Sequence, residues 1–263
     1  MSASQQASMR RGAIASLVLL MVFLAGWQWG PNLIGIPSFI VPPLSMVFEE
    51  SLRMWKVNHL AFHTGVTALE VLAGFVLGSL LGAAIGYVLG MSPTAEVALS
   101  PYILALQIAP KVAFAPLFIL WMGFSITPKI LVALLIVFFP ILVNVMTAVR
   151  GVDPDLINLA RAFKATRAQI FWKIEFPASM PATFAGLRIA STLAVVGVVV
   201  GELVGGNLGL GYLLSFGEGQ ANTAMVFVTI FMLTVVGGIA YLVVILVEQR
   251  VLHYMSRRAL TGV

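Results

Sequence analysis

The sequence predicts an all-α integral membrane protein with about six transmembrane helices, five to seven being compatible with its apolar runs. Three observations carry this reading. Hydrophobic residues make up 60% of the 263 residues and charged residues 10%, with a mean hydropathy of +1.03, whereas soluble domains carry ~25% charged residues. The apolar runs are continuous over the ~20 residues a helix needs to cross a bilayer, and they do not alternate as barrel strands do. Lys and Arg gather between the runs, where the positive-inside rule places them. The connections are short, so no second globular domain fits. With no cysteine in the chain, disulfides and thiol chemistry are excluded. The basic balance (pI about 9.8) belongs to span flanks and does not call for nucleic acid.

Residues 1–11 read as a polar, flexible cytoplasmic tail ending in Arg10-Arg11, and 12–30 as the first span. A charged start before an apolar run also suits a signal peptide. This run ends in Trp27-Gln28-Trp29, an interfacial aromatic belt rather than a small-residue cleavage site. Residues 31–63 form an extracytoplasmic loop whose Ser45–Lys56 stretch has the spacing of an interfacial helix. The core, 64–250, opens with a span in which Gly74, Gly78, Gly82 and Gly86 recur every four residues, a stripe for close helix packing. The third span, Val97 to Met122, holds Pro101, Gln107, Pro110, Lys111 and Pro116, and is expected to be broken. The fourth runs from Lys129 to Val149 with Pro140 and Asn144 inside, and the fifth from Phe184 to Val204 with Glu202 near its end. A glycine-rich connection, Gly205 to Asn222, leads to the sixth, Ala224 to Val247, and 251–263 form a cytoplasmic tail.

Six spans with the N-terminus inside put eleven basic residues in the cytoplasm: Arg10, Arg11, Arg150, Arg161, Lys164, Arg167, Lys173, Arg188, Arg250, Arg257 and Arg258. Only Arg53, Lys56 and Lys129 then lie outside, with Lys111 inside a span. This bias orients the chain with both termini cytoplasmic.

The polar island at 150–183 falls in the cytoplasm. Asp153-Pro154-Asp155 suits a helix start, and Leu156, Leu159, Ala160 and Phe163 share the face of a first segment. Thr166 caps a second, Arg167 to Ile174, which Pro177 and Pro181 are expected to end. Such a basic, amphipathic hairpin suits a groove on another protein or a surface of anionic lipid.

The island resembles the cytoplasmic loop of binding-protein-dependent ABC importer permeases, whose motif reads E-A-A, three residues, G, nine residues, I-x-L-P. Asn158-Leu159-Ala160, then Lys164, then Ile174-Glu175-Phe176-Pro177 align with it without gaps. Arg161, Ala162, Phe163, Ala165, Thr166 and Arg167 lie within the same stretch. Asn158, Leu159 and Lys164 depart from the motif's Glu, Ala and Gly, so any salt bridge of that Glu is lost and the bend must come from other residues. The segment Ala109 to Gly123, and Glu202-Leu203 followed by Leu208 to Leu213, resemble permeases for nitrate, taurine, aliphatic sulfonates and thiamine-pyrimidine precursors. The resemblance spans roughly Thr64 to Arg250.

The resemblance implies a type I ABC importer permease fold in the bacterial inner membrane. It implies a homodimer, with two cytoplasmic ATPase subunits that hold ATP and Mg, and an extracytoplasmic binding protein that delivers a small polar, anionic or heterocyclic solute. Asn158 to Arg167 and Pro177 would couple to the ATPase. The chain has no G-x-x-x-x-G-K-[ST] phosphate loop and is expected to be no enzyme and to bind no cofactor itself.

Polar residues inside spans are the candidate pathway: Gln107, Lys111, Asn144, Ser191 and Glu202. Lys111 suits an anion, a structural pair with an acid, or snorkelling. Glu70 lies near the outer boundary, within reach of water, and Glu202 near a partner copy or an outer gate. His59 and His63 have metal-ligand spacing, but with no third ligand nearby no metal site is expected. The rivals are a stand-alone secondary transporter or channel with a lipid-bound loop, which would show inverted repeats in many such folds, and an intramembrane enzyme, for which no H-E-x-x-H or G-x-S-x-G motif is present. Orientation alone leaves an exporter open.

Overall fold

The computed structural model describes residues 3–254, with side chains over 10–253. Among these residues every regular element is helical. Arg257 and Arg258, which entered the charge count, lie outside the described residues. The chain divides into two compact units, residues up to 61 with 213–231, and residues 62–212 with those from 232 on.

In the first unit, α1 (Ala3–Leu33) begins within the stretch read as a flexible tail and runs three residues beyond the expected boundary. Ser, Gln, Ala, Met and Arg include no helix breaker before Gly12, and Pro31 sits inside its last turn. The expected interfacial helix is α2 (Leu44–Lys56). Val47 and Met54 are buried, while Phe48, Leu52 and Trp55 are exposed. Trp27 Nε1 donates to the Pro42 carbonyl at 3.0 Å, and Gln28 bonds Ser45 through both amide atoms at 3.1 and 2.9 Å, which closes the turn from α1 to α2. Asn222 Nδ2 donates to Glu50 Oε1 at 3.0 Å, and Trp27 stacks on Phe231 with centroids 5.7 Å apart.

The second unit is built around α3 (Leu60–Gly90), α6 (Ile126–Arg150) and α9 (Phe176–Gly205). A Cβ at Gly74 would come 2.5 Å from Ala133 Cβ, at Gly78 2.8 Å from the Leu134 carbonyl, at Gly82 2.6 Å from that of Phe138, and at Gly86 2.6 Å from that of Leu142. The stripe therefore lets α3 lie directly on the backbone of α6. Both partners advance in the same direction, so the two helices are parallel. An odd number of crossings must then separate them. That crossing is α4 (Pro93–Ile108) with α5 (Ala115–Met122), a pair bent by 76° around the Lys111–Phe114 turn. Among the described residues five helices are long and apolar enough to cross a membrane on their own, and the bent pair, taken as one span, brings the count to six.

Against α6, α9 runs the other way. A Cβ at Gly186 would lie 3.1 Å from Asn144 Cβ, at Gly197 2.6 Å from Ala133 Cα and at Gly201 2.9 Å from Lys129 Cα. The island folds as α7 (Pro154–Ala162) and α8 (Arg167–Ile170). The prolines do not end the second segment as expected. α8 passes through a π turn, Phe171–Glu175, straight into α9, which holds both Pro177 and Pro181. In the π turn the Phe176 N–H reaches back to the Phe171 carbonyl, and Pro177 then falls in the first turn of α9, where a missing donor costs little. The glycine-rich connection is partly helical, as α10 (Leu210–Gly219). It leads to α11 (Thr223–Val251), whose Val244 packs with Phe184 and Leu252.

Candidate functional site

Among the described residues, the island presents an exposed helix. Asp153 Oδ1 accepts from the Asp155 N–H at 2.9 Å and opens α7. No residue of α7 is buried. Leu156, Leu159 and Phe163, spaced along one face, are 49%, 56% and 79% exposed. Asn158, Arg161, Ala162, Lys164, Thr166 and Arg167 are exposed, and Ala160, Ala165 and Pro177 are half-buried.

The bend after α7 corrects the sequence reading. Lys164 itself adopts the left-handed conformation, φ +57°. The Lys164 N–H bonds the Arg161 carbonyl at 2.9 Å and the Ala165 N–H bonds that of Ala160 at 3.0 Å. These are the two bonds of a Schellman end, with lysine where glycine is usual. Thr166 and Gln169 then form a capping box, the Gln169 N–H donating to Thr166 Oγ1 at 3.3 Å and the Thr166 N–H to Gln169 Oε1 at 2.8 Å. Val152, before α7, and Ile170, at the end of α8, are buried. The Tyr87 ring on α3 lies 5.7 Å from both Phe171 and Phe176, and its hydroxyl bonds Ser179 Oγ at 2.9 Å. The rod from α8 into α9 is thereby tied to α3.

At the far end of α9 lies a buried polar cluster. Glu202, 1% exposed, accepts from Thr67 Oγ1 at 2.7 Å and from the Gly211 N–H at 2.6 Å. Thr67 Oγ1 accepts from the Leu210 N–H at 2.7 Å, and His63 Nδ1 from the Gly209 N–H at 3.0 Å. Lys129, 4% exposed, donates to Glu70 Oε1 at 3.0 Å and to the Leu208 carbonyl at 3.3 Å. The cluster joins α3, α6 and α9 to the connection after α9. Gly209 has φ +105°, and a side chain there would overlap the Glu202 carboxylate, so the position requires glycine. Glu70 does not reach water as expected; it is 1% exposed and paired with Lys129. Sequence reasoning missed Lys129, Thr67 and His63 as members. The available signal was charge balance, an acid and a base on separate apolar helices being cheapest as a pair.

The five in-span polar residues are not gathered in one place. Ser191 Oγ bonds the Arg188 carbonyl at 2.8 Å and Asn144 Nδ2 that of Pro140 at 2.8 Å, each within its own helix. Glu202 belongs to the cluster just described. Only Gln107 and Lys111 bond one another, Lys111 Nζ donating to the Gln107 carbonyl at 2.5 Å. The Lys111 ammonium also stands 5.1 Å from the centre of the Phe139 ring. His63 is engaged by Gly209 and stacks on Tyr212 with centroids 5.7 Å apart.

Up to six spans, one of them broken beside a lysine, and an exposed amphipathic helix between two core spans describe a polytopic membrane protein. The chain belongs to the family of binding-protein-dependent transport system inner membrane components, whose profile matches residues 74–259. It is a multi-pass ABC transporter permease of the bacterial inner membrane. It is 37% identical over 242 residues to the riboflavin transport system permease protein RibX of Chloroflexus aurantiacus, covering 92% of this chain and 90% of that one. It is 29% identical over 248 residues to the formylaminopyrimidine transport permease protein ThiX of Halalkalibacterium halodurans, covering 94% and 98%. Among solved structures, a chain of the MetNI methionine ABC transporter in an inward-facing conformation superposes with a TM-score of 0.61 at 18% identity, over 76% of this chain and 97% of that one. That likeness shows the type I importer permease fold.

Proposed function

We propose that this chain is the membrane subunit of an ATP-driven importer that moves a small polar solute into the cytoplasm. Two copies pair in the membrane. Each rests, through residues 150–183, on a separate cytoplasmic ATPase subunit that holds ATP and Mg, and an extracytoplasmic binding protein delivers the solute. The observation that carries this reading is the bare face of α7. Leu156, Leu159 and Phe163 stand in the open beside Arg161, Lys164 and Arg167. Seating each apolar side chain in a cleft contributes about 1.5–3 kcal/mol, and the basic residues steer the encounter. The charge bias of the connections orients the island to the cytoplasm, and an even number of spans returns both termini to that side.

The local geometry supports a mechanical role for the island. The Schellman end and the capping box fix α7 relative to α8, and α8 continues into α9. Tyr87 couples α9 to α3, and the glycine stripe couples α3 to α6. A cleft that moves α7 when ATP closes the ATPase pair therefore moves three core spans together, and access alternates between two global states. Solute identity is read chiefly by the binding protein. Riboflavin, formylaminopyrimidine and the sulfonates are the solutes to test first, on the strength of the relatives' names and of the sequence resemblance.

The test is copurification of the chain with its candidate ATPase, for wild type and for Arg161→Glu/Lys164→Glu/Arg167→Glu. Retention by wild type and loss from the variant is the expected result. A chain that purifies alone and carries solute without ATP overturns the reading and leaves the island as a lipid-bound helix.

A further inference from the structure

We propose that Lys111 is the charged element of a subsite for an oxyanion group on the transported solute, a carboxylate or sulfonate carried on a small organic molecule. The inference rests on the importer reading above and adds the chemical class of the solute. Lys111 opens the turn between α4 and α5, at the 76° break of a span. Broken spans are where many transporters build substrate sites, because the half-helices end inside the membrane with their dipoles uncompensated. The positive end of α5 follows four residues after Lys111 and favours negative charge, while the Lys111 ammonium itself bonds the Gln107 carbonyl in the last turn of α4, whose negative end lies at the same break.

The charge pairing of the second unit is the decisive observation. Lys129 has Glu70 as its partner, with Glu202 in the same cluster; Arg150 has Glu96; Arg188 has Glu248 at 3.3 Å. Among the described residues no carboxylate pairs with Lys111. Its ammonium is held by a carbonyl and by the face of an aromatic ring. These orient a cation without neutralising it. A charge inside a span is costly, and a cation–π contact returns only part of that cost. The side chain is half-buried, and its amine turns back along α4 onto Phe139 of α6. Snorkelling along lipid toward an end of the span does not describe that geometry. Of the sequence-level readings of Lys111, the acid pair and the snorkel are therefore disfavoured, and the anion remains. An ammonium and a helix end recognise charge rather than shape, as suits a pathway whose selectivity is set by the delivering protein.

The test uses the full chain purified with its ATPase, its lysines ¹³C-dimethylated, and the Lys111 resonance assigned by its absence in Lys111→Arg. Methanesulfonate is titrated against the neutral dimethyl sulfone of similar shape. The expected result is a saturable shift of the Lys111 resonance with methanesulfonate and none with the sulfone. No shift by methanesulfonate at the concentration where the sulfone begins to perturb the spectrum, equal shifts by both, or equal shifts at every lysine (adventitious binding only) overturns the proposal. Copurification of the ATPase is scored on the same samples. A complex that forms while Lys111 ignores methanesulfonate removes the anion subsite and leaves the importer standing, whereas a chain that never holds the ATPase removes the importer reading itself.

Discussion

Lys129 Nζ lies 3.0 Å from Glu70 Oε1 and 3.3 Å from the Leu208 carbonyl, so a single ammonium on α6 holds both α3 and the connection that follows α9. Both side chains are withdrawn from solvent. Removing one member of such a pair strands the other. Lys129→Met is expected to cost about 3–5 kcal/mol, read as a drop in the thermal unfolding midpoint of the purified protein. Adding Glu70→Gln to it should return much of the loss, and a double variant no better than the single one would show that the pair is not the source.

Glu202 uses both oxygens, one for the Thr67 hydroxyl and one for the Gly211 N–H. Glutamine offers one acceptor and sets an amide donor against a donor on the other side. Glu202→Gln should lose about 1–3 kcal/mol, the cost of leaving a buried donor without an acceptor, and Glu202→Ala more, because it opens a cavity as well. Amide hydrogen exchange at Leu210 and Gly211 checks the assignment, since both N–H groups should lose protection together.

The glycine stripe is expected to be intolerant of even one added carbon. A Cβ at Gly82 meets the Phe138 carbonyl at 2.6 Å, and one at Gly78 meets that of Leu134 at 2.8 Å, while Gly65 has nothing within 4 Å. Gly78→Ala and Gly82→Ala should each destabilise by about 1–3 kcal/mol through overpacking. Gly65→Ala, on the same helix, should be neutral or slightly stabilising. Unfolding midpoints of the three variants side by side decide it, and equal effects at all three would contradict the packing described.

Lys164 holds a left-handed conformation that costs a residue with a Cβ about 1–2 kcal/mol. Lys164→Gly should therefore firm the end of α7, with greater exchange protection at Ala165, whose N–H closes the Schellman bond. If the lysine charge also serves docking, the same variant will bind the ATPase less tightly while being better ordered, a combination that separates the two roles.

Much of the fold was legible from local signals. The broken third span announced itself through Pro101, Pro110 and Pro116, and the island through its caps Asp153 and Thr166, because proline geometry and capping act over a few residues. The every-fourth glycines marked a packing face correctly, though not its partner α6. Two local rules misled. The prolines at 177 and 181 were read as stops, yet a π turn followed by a first-turn position absorbs the first of them. The residue at the motif's glycine position was expected to leave the bend to its neighbours, yet Lys164 makes it.

Membrane class, span number and the local structure of the polar loop were thus decided by composition, periodicity and short-range hydrogen bonding, which any stretch of chain carries with it. The polar interior was decided elsewhere. Lys129 and Glu70 are 59 residues apart, and Thr67 and Glu202 are 135 apart. Whether such groups meet depends on which helix faces are pressed together and in what register, and no periodicity within one helix encodes that. The same packing pairs Lys129, Arg150 and Arg188 with acids and, among the described residues, leaves Lys111 without one, which no single helix could reveal.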